Sequence, residues 1–386
     1  MPRSALYASA GRRLIHFAVD AVGATLHERA TVELPADVQY AWPHVSGRVL
    51  YVACSDGNPD SGGSTHFVCA LAIDASGALR MLGNAVPLRW RPLHITTDLK
   101  SEYVVVSYNI PSLVTVHRLN ADGTLGGEVA QQAHPDCGIY AHQVRFAASN
   151  ARAILVTRGN NAAGDKPEDP GALKILDFRD GQLKNAASVA PGGGYGFGPR
   201  HVDFHPSRPW LFVSLERQNA LAVFDFTNEM PGAVPLHTIG TLADIRHHGP
   251  AQGAGTLHVH PNGRYVYVAN RARGSRELDG RRVFAGGENN IAVYALDEKT
   301  GQPTRLQHAD IRGIAPRTFA IDASGRLLVA ANLMPMLIAG DNGVKRVEAG
   351  LTVFTIGDEG RISFVRKYDI DTGDGQLFWM GMVALA

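Results

Sequence analysis

The chain predicts an all-β fold, a seven-bladed β-propeller of four-stranded antiparallel blades, on three observations. A short apolar run of β-forming residues recurs along its whole length. A second, alternating run follows each copy, and the C-terminus supplies the one strand that the N-terminus lacks.

The first run reads Ala5-Leu6-Tyr7-Ala8, Val49-Leu50-Tyr51-Val52, Tyr103-Val104-Val105-Val106, Ala153-Ile154-Leu155-Val156, Trp210-Leu211-Phe212-Val213, Tyr265-Val266-Tyr267-Val268 and Leu327-Leu328-Val329-Ala330. Its copies are spaced by roughly 54 residues, which is a blade period and not a solenoid period. The second run alternates apolar with polar residues, as in Leu221 to Phe226, Ile291 to Leu296 and Leu351 to Ile356. Turn pairs Asp122-Gly123, Asp180-Gly181 and Glu359-Gly360 close such runs and lead into a more polar edge strand. Strands are lettered A to D from the axis outward, the first run being B and the second C. Residues 1–386 then form a single propeller domain. The N-terminus opens on a B strand, and Gln376 to Val383 reads as an A strand with nothing after it, so the last strand completes the first blade and pairs its open edge.

Composition narrows the function. Lys and Arg number 37 against 36 Asp and Glu, and a formal charge of +1 carries no footprint for nucleic acid or an anionic membrane. Cys54, Cys69 and Cys137 lie far apart, which indicates neither a disulfide framework nor a thiolate zinc site. The opening Met1-Pro2-Arg3-Ser4 has no apolar core of a signal peptide, and the longest apolar stretch, Leu327 to Ala339, is broken by Asn332 and Pro335. A soluble cytoplasmic protein is expected, of undetermined oligomeric state.

Loop lengths point to one working face. The A–B turns are short (Ser46-Gly47, Ser207-Arg208, Asn262-Gly263, Ser324-Gly325), whereas the B–C connections 56–66, 159–171, 272–288 and 333–350 and the D–A connections 190–199 and 243–255 are long. All the long ones fall on one side of an antiparallel blade, where loops carry binding or act as lids. The segment Gly192 to Gly198 matches neither a Walker loop nor GxGxxG and reads as a flexible connection.

Strand A enters from that face and strand B ends on it. The A openings supply His94, His142, Arg200, His201, His258 and Arg317, and the B endings supply Asn109, Arg158, Glu216, Arg271 and Asn332. Several cations around few carboxylates suit an anionic small molecule, because guanidinium binds carboxylate or phosphate through paired hydrogen bonds. Each of these residues can equally serve strand-end carbonyls in a wet channel. His205 and His260, next to prolines at A–B turns, read as structural. The spacing His258-x-His260 places two rings on one strand face, but too few carboxylates lie near them to indicate a metal. No metal and no cofactor are therefore assigned.

Three segments carry a family resemblance: Gly198-Pro199-Arg200-His201-x-x-Phe204-His205-Pro206, then His258-x-x-Pro261-Asn262-Gly263-Arg264-Tyr265 through Arg271, and Pro316-Arg317-x-Phe319-x-Ile321-Asp322-x-Ser324-Gly325. They resemble the seven-bladed propeller lactonase family, of the bacterial 6-phosphogluconolactonase and carboxy-muconate lactonizing types. Carried over by motif, the resemblance implies His142, Arg200, Glu216 and Arg271 as the catalytic group. The segment around His142 lacks the family's turn residues, and the loops 272–288 and 333–350 are enlarged.

A lactone is an activated ester, and no Gly-x-Ser-x-Gly elbow is present to form an acyl-enzyme. The resemblance therefore implies a hydrolase that opens a small anionic sugar-type lactone with a bound water, a base and cations over the oxyanion. In this reading Arg200 and Arg271 stabilise the oxyanion and Arg317 anchors a distal carboxylate or phosphate, while His94, Asn109, Arg158, His201 and His258 bind substrate. Glu216, ionised beside arginines, fits a base, which leaves His142 as the proton donor. A muconate-type cyclase or isomerase on the same site, a calcium-dependent lactonase, and a non-catalytic propeller binding a ligand or protein stay open.

Overall fold

Each repeated apolar run folds as a buried strand, second from the axis in its sheet: Ser4–Ala10, Val49–Ser55, Tyr103–Asn109, Arg152–Thr157, Trp210–Leu215, Tyr265–Ala272 and Leu327–Asn332. The structure is a computed structural model and describes residues 3–58, 61–244, 246, 249–340 and 343–385. Met1 and Pro2, and positions 59–60, 245, 247–248 and 341–342 of the long loops, lie outside the described residues. Among the described residues, seven four-stranded antiparallel sheets form the blades, with a short extra strand beside the second. The apolar clusters lie between neighbouring blades, where both faces of each B strand are covered.

Closure occurs as the terminal strands predict. Met380–Ala384 is strand A of blade one and pairs antiparallel with Ser4–Ala10, Val383 opposite Ala5 and Met380 opposite Ala8. Trp379, just before it, packs into the cluster shared with blade two.

Side chains tie blade to blade on the short-turn face. Tyr7, Tyr51 and Tyr267 hold the same place in their B strands, and each donates its hydroxyl to a glycine carbonyl in the C–D turn of the next blade: Gly77 at 2.7 Å, Gly123 at 3.0 Å and Gly360 at 2.8 Å. His205 and His260 do the same between A–B turns, with Nε2 against the carbonyls of Gly263 at 2.9 Å and Gly325 at 2.8 Å. The structural reading of both histidines holds.

The long connections lie on the opposite face. Two of them form structure of their own. Hairpin Ser275–Leu278/Arg281–Phe284, from the loop 272–288, meets hairpin Met336–Gly340/Gly343–Val347, from the loop 333–350, through a parallel pairing of Val283 with Leu337. The result is a four-stranded cap over blades six and seven. The glycine-rich segment is also ordered. The Gly171 amide donates to the Gly194 carbonyl at 2.9 Å, and the Gly196 amide to Glu168 Oε1 at 2.6 Å, so it packs on the 159–171 loop and is not the flexible connection expected. Gly194 has φ +87°, and a Cβ there would strike the Gly171 carbonyl.

The ring closure has a direct test. Trp379→Ala empties a site only 4% exposed at the terminal seam, and the expected loss is about 3–5 kcal/mol. Denaturant midpoints measure it; a change within error would mean that the seam contributes little.

Candidate active site

A backbone irregularity recurs where the A strands of blades two to seven enter the mouth. In blades two to five and seven one residue of strand A has no partner on strand B, namely Gln39, Leu93, His142, Arg200 and Arg317; in blade six the interruption falls at Gly255 and Thr256. A bulge of this kind re-aims the side chain it carries. In blades four, five and seven that side chain is a histidine or an arginine.

Glu216 follows strand B of blade five and gathers three guanidinium groups. Its Oε1 pairs with Arg271 Nη2 and lies 3.5 Å from Arg200 Nε, and its Oε2 lies 3.2 Å from Arg158 Nη1. These arginines come from blades six, five and four. Gly253 is required beside them, since a Cβ there would stand 2.9 Å from Glu216 Cγ. Burial raises the Glu216 pKa, but Arg271, Arg200 and Arg158 together overcome it and bring it down to about 2.

Positive charge outweighs this one carboxylate. Burial and the neighbouring Arg271 lower Arg200 to about 9, with Glu216 acting in the opposite direction. Arg317 is lowered by burial and then by Arg200, Arg271, Arg91 and Arg273; its guanidinium carbon lies 3.5 Å from the Phe378 ring centroid. Arg91 Nη2 donates to Gln39 Oε1 at 2.6 Å. Arg158 covers the Tyr140 ring at 3.8 Å, and Tyr140 stacks on His142 at 6.3 Å.

His142 stands against His201, ring centroids 5.2 Å apart, and its buried Nδ1 has no partner. Arg200 Nη1 lies 3.3 Å from His201 Nε2, which therefore accepts, so the proton of His201 sits on Nδ1. Burial, then Arg200, His201, Arg158 and Arg317, hold His142 far below the ordinary histidine value. It is a neutral imidazole at pH 7. The cations that ionise Glu216 therefore disfavour an imidazolium at rest, so the ring can donate a proton only after it has accepted one.

Most sequence-selected residues converge on this mouth. His142, Arg158, Arg200, His201, Glu216, Arg271 and Arg317 are joined by the contacts above. Asn109 and His94 lie beside them in blade three: Asn109 faces Arg91 at 3.5 Å, and His94 packs on the Tyr40 ring at 4.2 Å. His258 departs. Strand A of blade six runs Gln252–Val259, so His258 closes the strand instead of opening it, toward the opposite face. There it sits 3.6 Å from Asp203 and edge-on to Phe319. His260 lies beyond the strand in a turn, so the two rings do not share a strand face. Among the described residues no group of three His, Cys, Asp or Glu side chains is close enough to hold a metal ion.

Gln39, Arg91, Tyr140 and Arg273 were not among the candidates. Arg91 is signalled by position, directly before Pro92, whereas Gln39 sits on a bulge that only the strand register reveals. Arg273 lies two residues beyond Arg271. It lines both a cleft of ≈ 180 Å³ with Arg158, Glu216, Arg217 and Arg271, and a second of ≈ 290 Å³ with Asp37, Asp56, Asp374 and Phe378.

Comparison with known proteins agrees with this architecture. Residues 5–334 match the family described as lactonase, 7-bladed beta-propeller. A 6-phosphogluconolactonase of Bacillus subtilis is 27% identical over 69% of this chain and 70% of its own, and one of Serratia proteamaculans is 24% identical over 92% and 91%. A solved structure of a periplasmic gluconolactonase of Pseudomonas aeruginosa superposes with a TM-score of 0.73 at 20% identity, covering 100% of both chains.

The Glu216 cluster sets an acid limb of stability. Its folded pKa of about 2 lies below the ordinary 4.5, so its contribution is complete above pH 4.5 and lost as pH falls toward 2. Denaturation midpoints across that window are expected to fall less steeply in Glu216→Gln than in the wild type, and the variant is expected to be less stable at pH 7. Parallel curves would contradict the pairing.

Proposed function

The chain belongs to the seven-bladed β-propeller lactonase family, and we propose that it is a hydrolase opening an anionic sugar-type lactone of the 6-phosphogluconolactone kind. The observation that carries this reading is the excess of buried guanidinium over carboxylate around Glu216: an anionic substrate relieves the mutual repulsion of Arg200, Arg271 and Arg317. The names of the curated relatives favour hydrolysis over cyclisation.

In the proposed reaction the lactone carbonyl enters between Arg200 and Arg271. Neutral His142 takes a proton from a water as its oxygen bonds to the carbonyl carbon, and the two guanidinium groups receive the oxyanion. The tetrahedral intermediate then breaks the ring C–O bond. His142 returns its proton to the departing ring oxygen, and the carboxylic acid so formed ionises to solvent. Glu216, with a pKa of about 2 and both oxygens engaged, is a poor base. Its part is to hold Arg158, Arg200 and Arg271 in register, which makes it a positioning residue. Arg317 anchors the distal anion.

Acid release from phosphorylated, acidic and neutral sugar lactones, corrected for spontaneous hydrolysis, tests the proposal. Turnover is expected, with kcat reduced about 10²–10⁴-fold in His142→Gln and about 10²–10³-fold in Arg200→Ala. No turnover of any of these lactones, or a wild-type rate in both variants, would leave a binding protein. The pH profile separates the two roles of His142. With its pKa far below 6.5, kcat/KM stays level as pH falls through 6.5; a donor imidazolium would instead make the rate rise there.

A further inference from the structure

The two hairpins pair with each other through Val283 and Leu337, and each adjoins a residue that bears on the charge of the mouth. The first hairpin leaves strand B of blade six through Ala272 and Arg273, and the Ala285 amide donates to the Gly274 carbonyl at 2.9 Å, closing its foot. Arg273, exposed beside that foot, is the one residue among the described ones that lines both clefts. The second hairpin begins after Leu333, whose carbonyl accepts the Leu377 amide at 2.9 Å. Phe378 consequently packs under the cap with Ile314, Ala315 and Leu333, against Phe284 and Met336 of the two hairpins. Its other face carries Arg317 at 3.5 Å. The first insertion thus adds the charge of Arg273 to the guanidinium cluster, where it is felt at Arg271 and Arg317, and the second seats the ring on which Arg317 rests.

We propose that the cap builds an anion subsite: Arg273 at its foot and Arg317, held on Phe378 beneath it, receive the phosphate or carboxylate at the end of the sugar chain remote from the lactone ring. This rests on the lactonase reading and adds to it the element that selects substrate charge. Arg273 and Arg317 beside Arg200 and Arg271 give one cluster enough guanidinium groups for a molecule with a permanent anion at its tail and a transient one at its carbonyl. Neutral sugar lactones satisfy only the second. Phe378 acts through Arg317 and is a positioning residue.

The test compares kcat/KM for a phosphorylated sugar lactone with that for its unphosphorylated counterpart. In Arg273→Ala the ratio is expected to fall at least tenfold, mostly through KM for the phosphorylated lactone, and Arg273→Lys is expected to restore part of it. Phe378→Leu is expected to lower the ratio in the same direction, while Arg276→Ala, on the exposed outer strand of the cap, leaves it unchanged. An unaltered ratio in Arg273→Ala, or an equal fall in Arg276→Ala, would overturn the subsite. Calorimetric binding of inorganic phosphate covers the case in which no lactone is turned over: affinity at least tenfold weaker in Arg273→Ala supports the subsite although the lactonase reading has failed, and equal affinity refutes it.

Discussion

One buried carboxylate organises the mouth of this propeller. Glu216 meets Arg158, Arg200 and Arg271, which reach it from three successive blades. Removing ions from water costs several kcal/mol each, and only close pairing offsets that cost. The pairing here is geometrically demanding: strand ends must stop at the same height, and strand A of blade five must bulge at Arg200 to turn its side chain inward. Interblade ties on the opposite face, from Tyr7, Tyr51, Tyr267, His205 and His260, keep that height constant. Scaffold and site are in this sense one construction.

The electrostatic outcome is uneven. Three guanidinium groups on one glutamate already exceed neutrality, and Arg91, Arg273 and Arg317 lie close enough for their charges to be felt. His94, His142 and His201 rest neutral among them, each lowered first by burial and then by arginines. Below them the channel changes character. Around His258 it is lined by Tyr40, Trp42, Phe319 and Trp379, and Asp203 is held at about 2 by Arg145 and His258 against the opposing effect of burial. The cationic end and the aromatic end share one axis, and anion chemistry belongs to the first.

How much of this was legible follows from which interactions are local. The B strands announce themselves because both faces are buried, so each reads as an unbroken apolar run such as Tyr265-Val266-Tyr267-Val268. Seven such runs and one orphan strand at Gln376 to Val383 were enough for the ring and its seam. Arg200, Glu216 and Arg271 were legible because strand ends in a propeller point to predictable places. His258 was misplaced because Gly253 and Gly255 carry no side-chain signal, which hid the true start of strand A at Gln252. The bulges were invisible, since one extra residue does not alter an apolar pattern. The cap was invisible for a different reason: Val283 and Leu337 are far apart in the chain, and neither hairpin alone says that it will meet the other.

The central claim is that the excess positive charge around Glu216 receives the substrate. A crystal structure with the ring-opened, phosphorylated aldonate product bound examines it most directly. The account requires the product carboxylate between Arg200 and Arg271, within reach of His142, and the phosphate toward Arg273 and Arg317. Product seated in the aromatic half of the channel beside His258, or on the outer surface with the arginines untouched, would contradict it.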